Sequence, residues 1–260
     1  MGIPSATKPL TGAQAVERAI ALLRLVSSHT ATGIRLVDAV RLTGLSKSTA
    51  FRLFTVLKEE GLLEQAEESG LYFLGTEAYA LGIAAATRHG LHASALPHLE
   101  KLAQLSGDTC FLTIRRQNHS VCLARVEGPF PIRSHVLQVG DRHPLGLGAG
   151  SLAILATLPD AEITKILSDN MEEIHRVYPQ TTEVVIWEDV EKTRRQGFAL
   201  NPGRFAIGSW AIGVPVGIKG KPANVALSIS AMEQRLANGR SQELAGLLSA
   251  ESEVMCKETF

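Results

Sequence analysis

The chain lacks net charge, a long apolar run and any paired cysteine spacing, and each shortage removes a class of protein. Lys+Arg and Asp+Glu stand equal at 26 each, so overall charge does not advertise nucleic acid and any basic surface must be local. The uncharged stretches near 144–159 and 205–218 are too short and too glycine-rich to span a bilayer, so no membrane partner is expected. MGIPSATKPLTG at the start carries no apolar h-region, so no secretory signal is visible. Cys110, Cys122 and Cys256 are scattered without a CxxC, which suits reduced thiols in a cytoplasm.

Enzyme signatures are also missing. GLGAG (146–150) has no third glycine at 151 and no GK[ST], so tight turning and close backbone approach explain it better than a phosphate loop. GSWAIG around Ser209 lacks the GxSxG elbow of a hydrolase. No carboxylate pair demands acid–base work. His89, His92 and His98 are spaced along one segment, but nothing completes a metal site, and they read as surface histidines. His143, after VGDR, reads as a loop or pocket-lining residue. Neither a metal nor a cofactor is expected.

What remains is 260 residues with 45% hydrophobic and 20% charged, enough for one large domain or two ordinary ones with a real core. Residues 1–12 read as a flexible arm. Val16, Ala19, Ile20, Leu23 and Val26 recur at helical spacing and predict a first helix. A short helix follows over about 35–42. Thr43-Gly44-Leu45 makes a tight turn, and Ser46 is placed to cap a third helix. In that helix Ala50, Leu53, Phe54 and Leu57 fall at i, i+3, i+4, i+7, and Gly61 ends it. LLEQAEESGLYFLG (62–75) reads as a β-hairpin. Three helices and a hairpin over 13–75 predict a winged helix-turn-helix.

Residues 76–90, rich in alanine, predict a linker helix. From 91 to 260, strand-like and helical runs alternate in an order that points to an α+β or α/β domain with a partly antiparallel sheet. Helices are expected over 94–106, 149–158, 160–168, 182–196 and 232–249. LNPGRF (200–205) reads as a loop.

AVERAIALL (15–23), GLSKSTAFRLFTVLKEEGLLEQ (44–65) and YFLG (72–75) resemble the DNA-binding segment of the IclR family of bacterial transcriptional regulators. VGDRHPL (139–145), RRQGFAL (194–200), AIGVPV (211–216) and ALSIS (226–230) resemble its effector-binding domain. Order and spacing together carry the match over roughly 13–235. The resemblance implies a homodimer or homotetramer, not an enzyme, with a winged helix on operator DNA and a C-terminal domain of GAF- or profilin-like α/β fold holding a small-molecule effector. It implies a repressor or an activator, with a repressor of a catabolic operon the expected form.

With its apolar stripe inward, the third helix turns Lys47, Ser48, Arg52 and Thr55 outward, and Thr49 borders the two faces. Arg52 suits bidentate contact with guanine, and Lys47 with the helix N-terminus suits a phosphate. The resemblance assigns DNA contact to the same stretch, Ser46, Lys47, Ser48, Thr49 and Arg52. Residues 1–75 hold eight Lys/Arg against seven Asp/Glu. So low a net charge predicts weak binding by one subunit, and Glu64, Glu67 and Glu68 should keep the hairpin off phosphates.

Carried over by motif, the effector site comprises Ile132 and His135 before VGDRHPL, Ala149 and Gly150 at a helix start, and Asn201 in the loop after RRQGFAL. Ser209 and Ala211 on one strand and Ser228 and Ser230 on another complete it. Independently, residues two apart in a strand share a face, so each strand pair presents both members together. Backbone N–H groups at Ala149–Leu152 can receive a carboxylate. Asn201 and Arg204 stand where the family often has acidic residues, and Ser151-Leu152 where many members have Gly-Lys. The expected effector is a carboxylate with a sizeable apolar body, aromatic acids included. Two competing functions are a C-terminal domain that turns over its ligand through Ser228 or His135, and a winged helix that binds protein instead of DNA.

Overall fold

The computed structural model describes residues 13–30, 32–86, 90–131, 137–236 and 239–259. The expected arm at 1–12 and the site candidates Ile132 and His135 lie outside these residues. The chain divides into two compact units, Met1–His89 and Gly90–Phe260.

In the first unit α1 (Gln14–Ser27), α2 (Leu36–Thr43) and α3 (Lys47–Glu59) pack around Leu22, Leu25, Val26, Ile34, Phe54 and Leu57. The Tyr72 ring meets Phe54 edge-on at 4.4 Å, tying the hairpin β1 (Leu63–Gln65) and β2 (Tyr72–Leu74) to the helices. The turn between α2 and α3 passes through Gly44 at φ +69°, a left-handed conformation that glycine adopts without a Cβ penalty. Helix α1 departs from expectation. Leu22, Leu25 and Val26 are buried, whereas Val16 and Ile20 are exposed. Its apolar residues occupy more than one side, so tertiary packing, not periodicity, selects the inner face. Helix α4 (Thr76–Ala86) has no buried residue.

The second unit is built on one six-stranded sheet. Its strands are β3 (Thr109–Arg116), β4 (His119–Val126), β5 (Arg142–Pro144), β6 (Ala199–Ala206), β7 (Ser209–Val216) and β8 (Val225–Met232). They run in the order β5-β4-β3-β8-β7-β6. Every pairing is antiparallel, where the sequence suggests only a partly antiparallel sheet. LNPGRF is not a loop: Asn201 pairs with Ala211 inside β6, and the register breaks only between Pro202 and Ala206.

Alternation along the strands divides the sheet into two faces. Leu112, Ile212, Val214, Leu227 and Ile229 belong to a core with α5 (Leu91–Ser106) and α10 (Arg240–Thr259). Residues of the other parity face α6 (Ala149–Leu155), which shares a second core with α7 (Asp160–Val177) and α8 (Glu183–Gln196). Helix α7 runs nine residues beyond the predicted 168, because Asn170 and Ile174 continue its buried face. The expected last helix, 232–249, is instead a short α9 (Glu233–Leu236) followed by the longer α10.

His98 is not a surface histidine. It lies buried on α5, with Nδ1 2.8 Å from Glu251 and Nε2 3.1 Å from Glu258, both on α10. Burial pushes the Glu251 carboxyl up, but hydrogen bonds from Lys101 and His98 outweigh it and hold that group below its ordinary range. No helix among the described residues is long and apolar enough to cross a membrane.

Candidate functional site

The outward face of α3 is built by the inward one. Ala50, Phe54 and Leu57 are buried, which leaves Lys47, Ser48, Phe51, Arg52 and Val56 exposed. Ser46 caps the helix, accepting from the Thr49 backbone N–H at 3.2 Å and donating to the Thr49 hydroxyl at 2.8 Å. Ser46 and Thr49 are thus engaged with each other at the helix start, and Ser48 lies 3.2 Å from the Ser46 hydroxyl. Thr55 turns its hydroxyl back onto the Phe51 carbonyl at 2.9 Å. Lys47 and Arg52 form no ion pair among the described residues, so both charges remain available to an incoming anion. Glu64, Glu67 and Glu68 are exposed on the hairpin.

The second candidate site is a cavity of about 570 Å³, its open mouth included, between the sheet and the start of α6. Seven of the nine predicted effector residues line it: Ala149, Gly150, Asn201, Ser209, Ala211, Ser228 and Ser230. Strand register brings them together. Ser228 pairs with Phe111 on one side and Gly213 on the other, and Ser230 with Ala211, which pairs with Asn201. Small residues let α6 descend onto this face. A Cβ on Gly213 would sit 2.7 Å from the Ala149 backbone, and one on Gly150 would sit 2.8 Å from the Thr113 hydroxyl and 3.2 Å from that of Ser228. The close approach expected of GLGAG is therefore real, and Ser151 fastens its loop by accepting from the Gly146 N–H at 2.9 Å.

The lining also includes residues that motif matching passed over. Phe111, Thr113, Leu137 and Leu147 contribute, the first two by the same alternation that groups Ser228 with Ser230, and His143 takes the pocket-lining place, one of its two expected roles. Among the described residues that line it there is no Asp, Glu, Lys or Arg. Ser230 donates to the Trp210 carbonyl at 3.2 Å and shares a 3.0 Å hydrogen bond with Ser209. Burial lowers His143 to about 4, with Glu173 opposing and His119 adding to the shift, so this imidazole is neutral at neutral pH. Cys122 also lines the cavity, and burial pushes its thiol up to about 12, far from a reactive thiolate. Arg204 does not line the cavity: its guanidinium pairs with Asp189 and its N–H donates to Asn201 Oδ1 at 3.0 Å. Trp210 packs against the opposite core. No group of three or more potential metal ligands occurs among the described residues.

Comparison with known proteins joins the two sites in one family. The IclR helix-turn-helix domain matches residues 15–67, and the Bacterial transcriptional regulator IclR C-terminal domain matches 83–257. A glycerol operon regulatory protein of Streptomyces griseus is 33% identical over 224 residues, 86% of each chain. An IclR transcriptional regulator from Alicyclobacillus acidocaldarius superposes with a TM-score of 0.76 at 24% identity, covering 94% of this chain and 98% of that one. An IclR homologue from Microbacterium hydrocarbonoxydans, solved with 4-hydroxybenzoate, superposes at 0.71 with 22% identity and covers 94% and 100%. The relatives are transcriptional regulators, not enzymes. This chain belongs to the IclR family of bacterial transcriptional regulators.

Proposed function

We propose that the chain is a cytoplasmic, homo-oligomeric repressor of a catabolic operon. Its α3 reads operator DNA, and its α6–sheet cavity holds a small carboxylate with an apolar, aromatic-compatible body. The observation that carries the effector reading is the cavity itself: hydroxyls of Thr113 and Ser228 under the first turn of α6, Phe111 and Leu147 beside them, and no acidic side chain among the described lining residues. Hydrogen-bond donors without a competing anion suit a carboxylate, and the apolar lining suits its body. The 4-hydroxybenzoate held by one relative has this chemistry.

Oligomerisation is supported by charge and by α4. One winged helix with net +1 over residues 1–75 neutralises few phosphates, so two or more copies on adjacent half-sites are needed for tight binding. Helix α4 leaves Tyr79, Leu81 and Ile83 exposed and carries no charge after Glu77, an apolar surface suited to a second copy of this chain. The covalent path between the units runs through α4. An effector that binds two arrangements of the oligomer unequally shifts their populations.

A thermal-shift screen against monocarboxylates, benzoate and 4-hydroxybenzoate among them, tests the effector reading. A carboxylate of the right shape raises the melting temperature by mass action. Ser228→Ala should weaken its binding by about 1.5–3 kcal/mol, roughly ten- to a hundred-fold, the range for a hydrogen bond to a charged group. If neutral analogues of the same shape stabilise equally well, the carboxylate assignment is wrong.

A further inference from the structure

The outward face of α3 carries two exposed apolar side chains, and hydrogen-bond readout alone does not explain them. Phe51 is 56% exposed and Val56 53% exposed. Both lie on the face that carries Ser48 and Arg52, and Phe51 immediately precedes Arg52 in the helix. Thr55 lies between them, and its hydroxyl is engaged with the Phe51 carbonyl, which leaves its methyl as the group free to meet a base. A solvated helix face would carry charged residues here, as α3 does at Lys58 and Glu59 beyond the reading stretch.

Base edges in the major groove offer one apolar feature, the C5-methyl group of thymine, and phenylalanine is among the side chains that contact it. We propose that Phe51 is a specificity-determining residue that packs on a thymine methyl in the half-site whose guanine Arg52 contacts. This proposal rests on α3 being the reading helix. It divides the work on that face: Arg52 supplies hydrogen-bond readout, Lys47 and Ser48 hold the backbone, and the Phe51 ring, with Thr55 one turn on, selects a methylated pyrimidine. A cytosine at the same position presents no methyl and would leave the ring against a polar amino group.

The test begins with duplex DNA selected from a random pool by the full-length chain. Each thymine of the selected site is then replaced by uracil, which removes the methyl and keeps every base-pairing and groove hydrogen bond. One thymine per half-site should respond, with affinity falling about four-fold per methyl removed, the worth of one buried methyl group. For Phe51→Ala the same replacement should have no effect, and thymine should be less enriched at that position on reselection. Because Phe51 is exposed, the variant should melt with the wild type. A uracil series without effect on the wild-type chain overturns the proposal without any variant, and a positive one is assigned to Phe51 by its loss in Phe51→Ala. If no uracil replacement weakens wild-type binding, or if Phe51→Ala loses as much as the wild type, the role of Phe51 is overturned while DNA reading by α3 stands. If no duplex is enriched at all, the reading-helix assignment itself fails.

Discussion

Arg52→Ala is expected to weaken operator binding by about 1–3 kcal/mol for each recognition helix engaged, the value of one bidentate side-chain–base pair. A complex with two helices on two half-sites then loses about 2–6 kcal/mol, from about 30-fold to about 10⁴-fold in affinity. The physical basis is the position of Arg52. It is exposed near the middle of α3's outward face and is not ion-paired among the described residues, so contact with DNA does not first have to break an internal salt bridge. Loss of affinity should come with relaxed preference at one base pair per half-site. Arg52→Lys should keep part of the affinity and lose the preference, since an ammonium cannot make the forked contact. Lys47→Ala should behave in the opposite way, weakening all sequences alike and lowering the salt dependence by about one phosphate contact. Binding-site reselection with each variant checks both statements. An Arg52→Ala chain with unchanged affinity and base preference would show that another surface reads the operator.

Asp108→Ala should destabilise the C-terminal unit by about 3–5 kcal/mol, because it removes the shared partner of two guanidinium groups. Asp108 is buried immediately before β3. Arg235 donates to its two oxygens at 2.7 and 3.1 Å, and Arg240 donates to it at 3.0 Å. Arginine cannot shed its proton to relieve an unpaired charge, so alanine leaves two cations beside a low-dielectric core. Arg240 also donates to the Ser106 carbonyl at 2.6 Å, and Arg235 stacks over Phe130 at 3.7 Å. The cluster therefore pins four things together: the turn after α5, α9 with its Arg235, the beginning of α10 and Phe130 after β4. Asp108→Asn retains an acceptor and should cost less. For a unit of this size, 3–5 kcal/mol corresponds to a drop of roughly 6–20 °C in melting temperature. Denaturation of both variants, followed by circular dichroism, checks the prediction. A cost under about 1 kcal/mol for alanine would mean that water replaces the carboxylate and that the cluster is not a pin.

Wherever local chemistry decides the structure, the sequence is legible. Ser46 announces the start of α3 because few residue types can satisfy a helix's first N–H groups, and the cap is found there. Ser228 with Ser230, and Ser209 with Ala211, share a face because strand periodicity is two, and register then sets them against Phe111 and Asn201. What escapes the sequence depends on partners far along the chain. Val16 and Ile20 look like core until packing chooses Leu22 and Leu25 instead. Asn201 looks like a loop residue because Pro202 and Gly203 follow it, yet its pairing with Ala211 keeps it in β6. His98 looks like a surface histidine because the carboxylates that bury it lie on α10, more than 150 residues away. Phe51 escapes for a different reason: an aromatic on a helix reads as core by default, and only its exposure reveals another role.

The central claim is that one chain reads DNA with α3 and answers to a ligand in the α6–sheet cavity. The most direct test is titration of a fluorescent, selected operator duplex with the full-length chain at a stated salt concentration, with and without a carboxylate that raises its melting temperature. The dissociation constant should shift by about 5- to 150-fold, the range of ordinary allosteric coupling, and Ser228→Ala should require correspondingly more ligand for the same shift. An operator affinity that stays the same when the cavity is saturated would contradict the account.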